Sequence, residues 1–225
     1  PTHPWQFSNR DYHNNPVSNR RVATEVSGVD DGVGTIMETL KRSGLDDNTV
    51  VVFVADQGWV GGHGGFYGMG DHTRPVTARD GMMRIPMIWR HPGGIRSDTR
   101  VDRMVTNYDF MPTLLSYLQL AEKMPTEPKS PGNDFSAEFS ARKVSDSTTS
   151  SPQPPVFYEF EGLRCIRTER WKLIRRHPNG PHELYNLVSD PDEFDNLIDD
   201  DTLQSTADDL KQQLDDFYGQ YAVDQ

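Results

Sequence analysis

The sequence predicts an α/β fold: a parallel-type sheet with flanking helices, followed by a small C-terminal antiparallel sheet with one terminal helix. Three observations predict it. Val50 to Ala55 form an apolar, mostly β-branched or aromatic run without period-2 alternation, as in a strand covered on both faces of a parallel sheet. Upstream, Val22, Val26, Val29, Val33, Ile36 and Leu40 recur at spacings of 4, 3, 4, 3 and 4, the pattern of an amphipathic helix. Downstream, four short segments between residues 156 and 187 alternate with turn residues, and Leu203, Ala207, Leu210, Leu214, Phe217 and Tyr221 repeat a helical stripe that can cover a sheet.

Taken in order, residues 1–19 are rich in Pro, Asn, Ser and His without periodicity and predict an irregular lead-in. His3 is held extended there because Pro4 disfavours the helical region for the residue before it, and a surface histidine is its plainest reading. Gly44 closes the first helix at the C′ position. Asp30 and Asp31 within that helix diverge by about 100° and sit off the valine stripe, so they belong to a solvated face and not to a metal pair. Leu45–Asn48 turns into the central strand, which ends in Asp56-Gln57-Gly58.

Ligands of open α/β sheets collect outside the carboxyl ends of the strands. A carboxylate beside an amide oxygen is a hard-oxygen pair suited to Ca²⁺ or Mg²⁺; the competing reading is an ordinary polar loop start. Trp59 to Asp71 is a glycine-dense loop longer than a simple connection needs, followed by His72, Thr73 and Arg74 and a second apolar strand, Met87–Trp89. Val101–Thr106 predicts a short strand, and Tyr108–Leu120 a helix with Phe110, Leu114, Leu115 and Leu118 on one face. From 121 to 155 the composition shifts to Pro, Ser, Thr, Lys and Glu, giving an expected division into 1–120, a linker or surface excursion at 121–155, and a small α+β subdomain at 156–225. Cys165 falls in the second strand of that subdomain and reads as a buried small hydrophobe.

At 225 residues with a net charge of −11, the chain can bury a core and lacks the basic excess that a nucleic-acid partner would require. No run approaches the roughly 18 apolar residues of a membrane helix, so no membrane partner is expected. One cysteine cannot make an internal disulfide. Pro1-Thr2-His3-Pro4-Trp5 reads like the interior of a longer protein.

Together these segments resemble the C-terminal half of a formylglycine-dependent sulfatase of the alkaline-phosphatase superfamily. The carriers are Val29-Asp30-Asp31-Gly32-Val33-Gly34, Asp47 to Gly58, Gly62-His63-Gly64 and Arg84-Ile85-Pro86-Met87-Ile88. Asp109-Phe110-Met111-Pro112-Thr113-Leu114-Leu115 and Glu183-Leu184-Tyr185-Asn186-Leu187, followed by Asp190-Pro191-Asp192-Glu193, complete them.

The resemblance implies a divalent cation, usually Ca²⁺, held by Asp56 and Gln57 with further aspartates from an N-terminal part absent here. The formylglycine nucleophile would belong to the same missing half of the domain. Cys165 is followed by Ile-Arg-Thr and does not fit the precursor motif. The implied substrate is a sulfated small molecule or glycan, and the implied location periplasmic or secreted. The family's usual lysine, nine residues before Arg-x-Pro, is Pro75 here, which leaves His72 and Arg74 as the nearby cations for a sulfate. His3 resembles the family's catalytic histidine, and His63, with Arg74, is expected to bind substrate. For Arg74 a surface pairing with Asp71 or Asp80 stays open. The alternatives to a sulfatase are a phosphoester or phosphonate hydrolase of the same superfamily and a truncated non-catalytic relative.

Overall fold

The computed structural model describes residues 1–140 and 153–221, and the chain forms two compact units, Pro1–Asp98 and Thr99–Gln225. The expected 121–155 stretch lies inside the second unit, with 141–152 outside the described residues.

In the first unit, α1 (Pro16–Arg42) is longer than the valine stripe alone predicts. Asn15 starts it: its side-chain oxygen accepts from the amides of Val17 and Ser18, and Pro16 takes the first helical position, where no amide is needed. Ser43 caps the other end and Gly44 follows at φ +68°, as the C′ reading expects. The stripe is present but only partly covered, with Val26, Val29 and Ile36 all more than half exposed.

A short turn leads to β1 (Val51–Val54), which pairs with β4 (Met87–Arg90). The pairing is antiparallel, Val51 opposite Arg90 and Val54 opposite Met87, so the expected parallel sheet is not what the described residues form. The physical reason lies in the connection: the residues between β1 and β4 contain only one α-helix, α2 (Asp80–Met83), of 4 residues, too short for the crossover that joins parallel neighbours. Nor is β1 covered on both faces, since Phe53 and Val54 are exposed. Missing alternation in an apolar run reports what a strand is built to contact; it carries no information on strand direction.

In the second unit, Val101–Thr106 forms no strand. Thr106 instead opens a capping box with Asp109, and α3 (Phe110–Tyr117) follows, shorter than the predicted 108–120. Asp109 is buried and its second oxygen accepts from the amide of Asn133, so the 130s are tied to the start of α3. The four expected strands are all present as β5 (Val156–Phe160), β6 (Leu163–Arg167), β7 (Trp171–Arg176) and β8 (Glu183–Asn186), an antiparallel meander. Its face carrying Ile166, Leu173 and Leu184 packs on Ala207, Leu210, Leu214 and Tyr218 of α4 (Gln204–Tyr221). The alternate positions carry buried Cys165, Ile174 and two ion pairs, Lys172–Glu193 at 2.8 Å and Arg176–Glu183.

Candidate functional site

The chain leaves β1 through Ala55, Asp56 and Gln57 and is then pinned. Gly58 donates its amide to the Met82 carbonyl at 2.8 Å. A Cβ on Gly58 would stand 2.8–2.9 Å from the backbone of Gly81 and Met82, so only glycine allows this approach. Asp56 and Gln57 are therefore presented on a fixed exposed turn. The glycine-dense loop beyond it is a hairpin, β2 (Val60–Gly61) with β3 (Tyr67–Gly68), whose tip is a helical turn at His63–Gly65. Val60, Phe66 and Met82, with Trp5 against them, form its small core.

The lead-in has order that composition did not reveal. It runs as a strap along the hairpin and the loop after it: His3 donates to the Gly65 carbonyl, Arg74 to that of Trp5 and Phe7 to that of His72, each at 2.8 Å. Gly65, at φ +82°, lies so close to the strap that a Cβ would meet the His3 nitrogen at 2.6 Å. Gln6 is fully buried between the two. Its amide donates to the carbonyls of Ser8 and Tyr67, both at 2.8 Å, and its oxygen accepts from the Tyr67 amide at 3.0 Å. A buried amide so satisfied acts as a latch.

The strap sets the histidines. The His3 ring stacks on Phe66 with centroids 4.1 Å apart, and its Nδ1 accepts from the Trp5 amide at 3.1 Å, which puts the proton of the neutral ring on Nε2. His72 meets the Ser8 hydroxyl through Nδ1 at 3.0 Å, while its Nε2 stands 3.7 Å from Asp71 Oδ1, a buried oxygen with no hydrogen bond among the described residues. His72 is thus held between a hydroxyl and a carboxylate on adjacent segments. His63 is exposed on the hairpin tip.

Arg74 is exposed, and its guanidinium donates to the carbonyls of Asp71 at 2.9 Å and Thr73 at 2.6 Å. Its partner at Asp71 is the backbone oxygen, not the carboxylate. Gln57 reaches the same loop, its side-chain nitrogen donating to the sulfur of Met69. That contact orients the amide, leaving the oxygen end as the donor for a cation. A carboxylate and an amide oxygen fit a hard cation by donor chemistry, yet they are two ligands where Ca²⁺ takes roughly 6–8. Among the described residues no group of three or more His, Cys, Asp or Glu side chains is placed to hold a metal.

The strap therefore brings His3 to the hairpin tip region and Ser8 to His72, and Met69 links Gln57 to the loop. Asp30 and Asp31 lie exposed on α1. Sequence reasoning missed Gln6, Ser8 and Met69. No spacing signal marks them, because Gln6 and Ser8 act through contacts made only when the strap folds back and Met69 through one made only when its loop returns to the end of β1.

Two family models match the chain: Sulfatase over residues 2–120, and N-sulphoglucosamine sulphohydrolase, C-terminal, over residues 77–220. An N-acetylglucosamine-6-O-sulfatase of Bacteroides thetaiotaomicron is 25% identical over 202 residues, covering 87% of this chain and 35% of that protein. Among solved structures, a protein in complex with its substrate D-glucosamine-2-N,6-O-disulfate superposes with a TM-score of 0.69 at 24% identity, over 87% of this chain and 39% of the other. The phosphonate monoester hydrolase of Agrobacterium radiobacter gives 0.70 at 23% identity, over 87% and 40%. The chain spans about a third of the length of the curated relatives it matches over most of its own length. With each of the two models matching more than half of its residues, the chain belongs to the sulfatase family.

Proposed function

We propose that this chain is the C-terminal portion of a metal-dependent sulfuric-ester hydrolase acting on a sulfated carbohydrate, and that the rest of the same domain supplies the formylglycine nucleophile and the remaining metal aspartates. The observation that carries the reading is the strap-and-hairpin assembly, which gathers His3, His63, His72 and Arg74 on connected segments and ties Gln57 to the same loop. In this reading Asp56 and the Gln57 oxygen hold Ca²⁺, which when bound supplies positive charge at the sulfate. His3, with its proton on Nε2, donates toward a sulfate or leaving oxygen. Arg74, turned on its own loop carbonyls, supplies the cation of the site in place of the family's usual lysine, with His72, braced by Ser8 and Asp71, beside it. Donors fixed in advance of the reaction stabilise developing charge without reorganising. Export to the periplasm or the medium accompanies this reading.

The test uses the longer in-frame polypeptide. Asp56→Ala should lower both metal affinity and sulfate release far more than Asp30→Ala. Arg74→Ala should lower turnover roughly a hundredfold, with partial retention in Arg74→Lys. Equal effects of Asp56 and Asp30 would put the site on the wrong element, and unchanged turnover in both Arg74 variants would leave that residue on the surface. The likeness to a phosphonate monoester hydrolase favours a second reading at the level of fold, and comparing sulfate with phosphonate esters as substrates decides between them.

A further inference from the structure

The register of the C-terminal meander puts like charges face to face. Arg164 of β6 stands directly opposite Arg175 of β7, and His182 is one position beyond the Ile174–Glu183 pair that joins β7 to β8, so the three residues form a row across the sheet. With about 5 Å between neighbouring strands, the row is about 10 Å long. Like charges directly opposite each other destabilise a sheet. Only Arg164 is compensated: it pairs with Glu159 of β5 at 3.0 Å, and its guanidinium carbon lies 4.2 Å from the centre of the Tyr218 ring. The Arg175 guanidinium is half-buried and has no hydrogen bond or ion pair among the described residues. In a chain with 34 acidic side chains against 23 lysines and arginines, an arginine left without a carboxylate is against the odds of composition. His182 adds a donor and no charge. Its Nδ1 accepts from the Arg176 amide at 3.2 Å, which puts the proton of the neutral ring on Nε2. Arg176 is already paired with buried Glu183. The segment is fixed in place, since the His177 amide donates to the Gly162 carbonyl at 2.7 Å and the Asn196 side chain to that of His182 at 3.1 Å.

We propose that Arg175, with Arg164 and His182 on either side of it, is a binding site in the second unit for a sulfate group of an acidic glycan. A guanidinium offers two parallel N–H donors to two oxygens of one sulfate, and the His182 Nε2–H supplies a third donor. One oxyanion at Arg175 turns the repulsion of the row into attraction, which an uncharged ligand does not. Burial, then the charges of Arg175, Arg176 and His177, hold His182 below the usual histidine range, and this is the same positive field that an anion would meet. The charge of the whole chain selects a glycan over a nucleic acid: at −11 it repels a long polyanion everywhere but at a patch about 10 Å across, whereas a single sulfate needs no more than that patch. The choice of a glycan rests on the sulfated-carbohydrate reading proposed above, while the residues that take the anion are none of those assigned to the reaction.

Titration calorimetry on the longer in-frame polypeptide tests it, with a sulfated tetrasaccharide, its desulfated counterpart and an oligonucleotide of equal charge. The sulfated sugar should bind and the desulfated one should not. Arg175→Gln should weaken that binding roughly tenfold, as the loss of a charge-assisted hydrogen bond does. Glu159→Gln removes the acid at the end of the row and should strengthen binding about twofold. Arg96→Gln, the same change of charge in the first unit, should do neither. Without ligand, the urea midpoint of Arg175→Gln should equal or exceed that of the parent, because the like-charge pair is gone. A lower midpoint would make Arg175 a structural residue and overturn the proposal, as would tetrasaccharide binding unchanged by Arg175→Gln or tighter binding of the oligonucleotide. Sulfate release from a sulfated monosaccharide is read separately. Arg175-dependent binding without release would refute the proposed reaction and leave this site standing, and release with binding indifferent to Arg175 would do the reverse.

Discussion

Gln6→Ala should unlatch the strap that carries His3 from the hairpin that carries His63. The Gln6 side chain makes three hydrogen bonds in a fully buried position, two to carbonyls and one from the Tyr67 amide. At about 1 kcal/mol net each, the local cost is about 3 kcal/mol. That corresponds to roughly a hundredfold more opening, at about 1.4 kcal/mol per factor of ten. The assay is native-state hydrogen exchange of the Tyr67 amide, which loses its acceptor, with the Leu173 amide of the second unit as control. Gln6→Glu keeps an acceptor for Tyr67 but faces two carbonyls with a carboxylate, so it should not rescue. Unchanged exchange at Tyr67 in Gln6→Ala would refute the latch, as would equal acceleration at Leu173, which would mean global unfolding.

Lys172→Met leaves the Glu193 carboxylate buried without its ammonium, so urea unfolding should report a loss of about 3–5 kcal/mol; adding Glu193→Leu should recover most of it, and failure to do so would show that the pair is not the source of the cost. Desolvation, then the charges of Arg175, Arg176 and His177, hold His182 below the usual histidine range, and its Nδ1 accepts from the Arg176 amide. The unfolded chain therefore binds this proton more readily, so the contribution is complete above about pH 6.5 and is lost as pH falls through the depressed folded value. Urea midpoints at pH 7.5 and 5.5 should differ less in His182→Gln than in the parent chain, and an equal difference would remove His182 as the cause. Titration calorimetry should find calcium binding to the 225-residue chain no tighter than about millimolar, because two oxygens are a small part of its shell; micromolar binding would mean that other donors of this chain complete it.

The meander and α4 of the second unit were legible because their signals are local. Short apolar segments, the turn residues between them and the stripe of α4 each fix an element whose cover is also in the chain. The two ion pairs beneath it were not legible, since Lys172 and Arg176 look like the polar positions of an exposed strand until Glu193 and Glu183 are brought to them. In the first unit the elements were readable and their environment was not. Val50–Ala55 and the valine stripe announce burial that the described residues only partly provide. The place of Asp56 and Gln57 just past β1 was legible because a strand end is a local signal. The strap was missed because Gln6 and Ser8 act through partners 61 and 64 residues away.

The thinness of the proposed cation site has a geometric origin. Asp56 and Gln57 directly follow β1, and β1 has an open edge. A strand added to the ribbon beside β1 would bring its own terminus next to that turn, at the spacing of about 5 Å between neighbouring strands. The hairpin and strap, by contrast, are held to each other by contacts within Pro1–Met82. Half of the proposed site is thus preorganised by this chain, and the half that is thin is the half that borders the uncovered face.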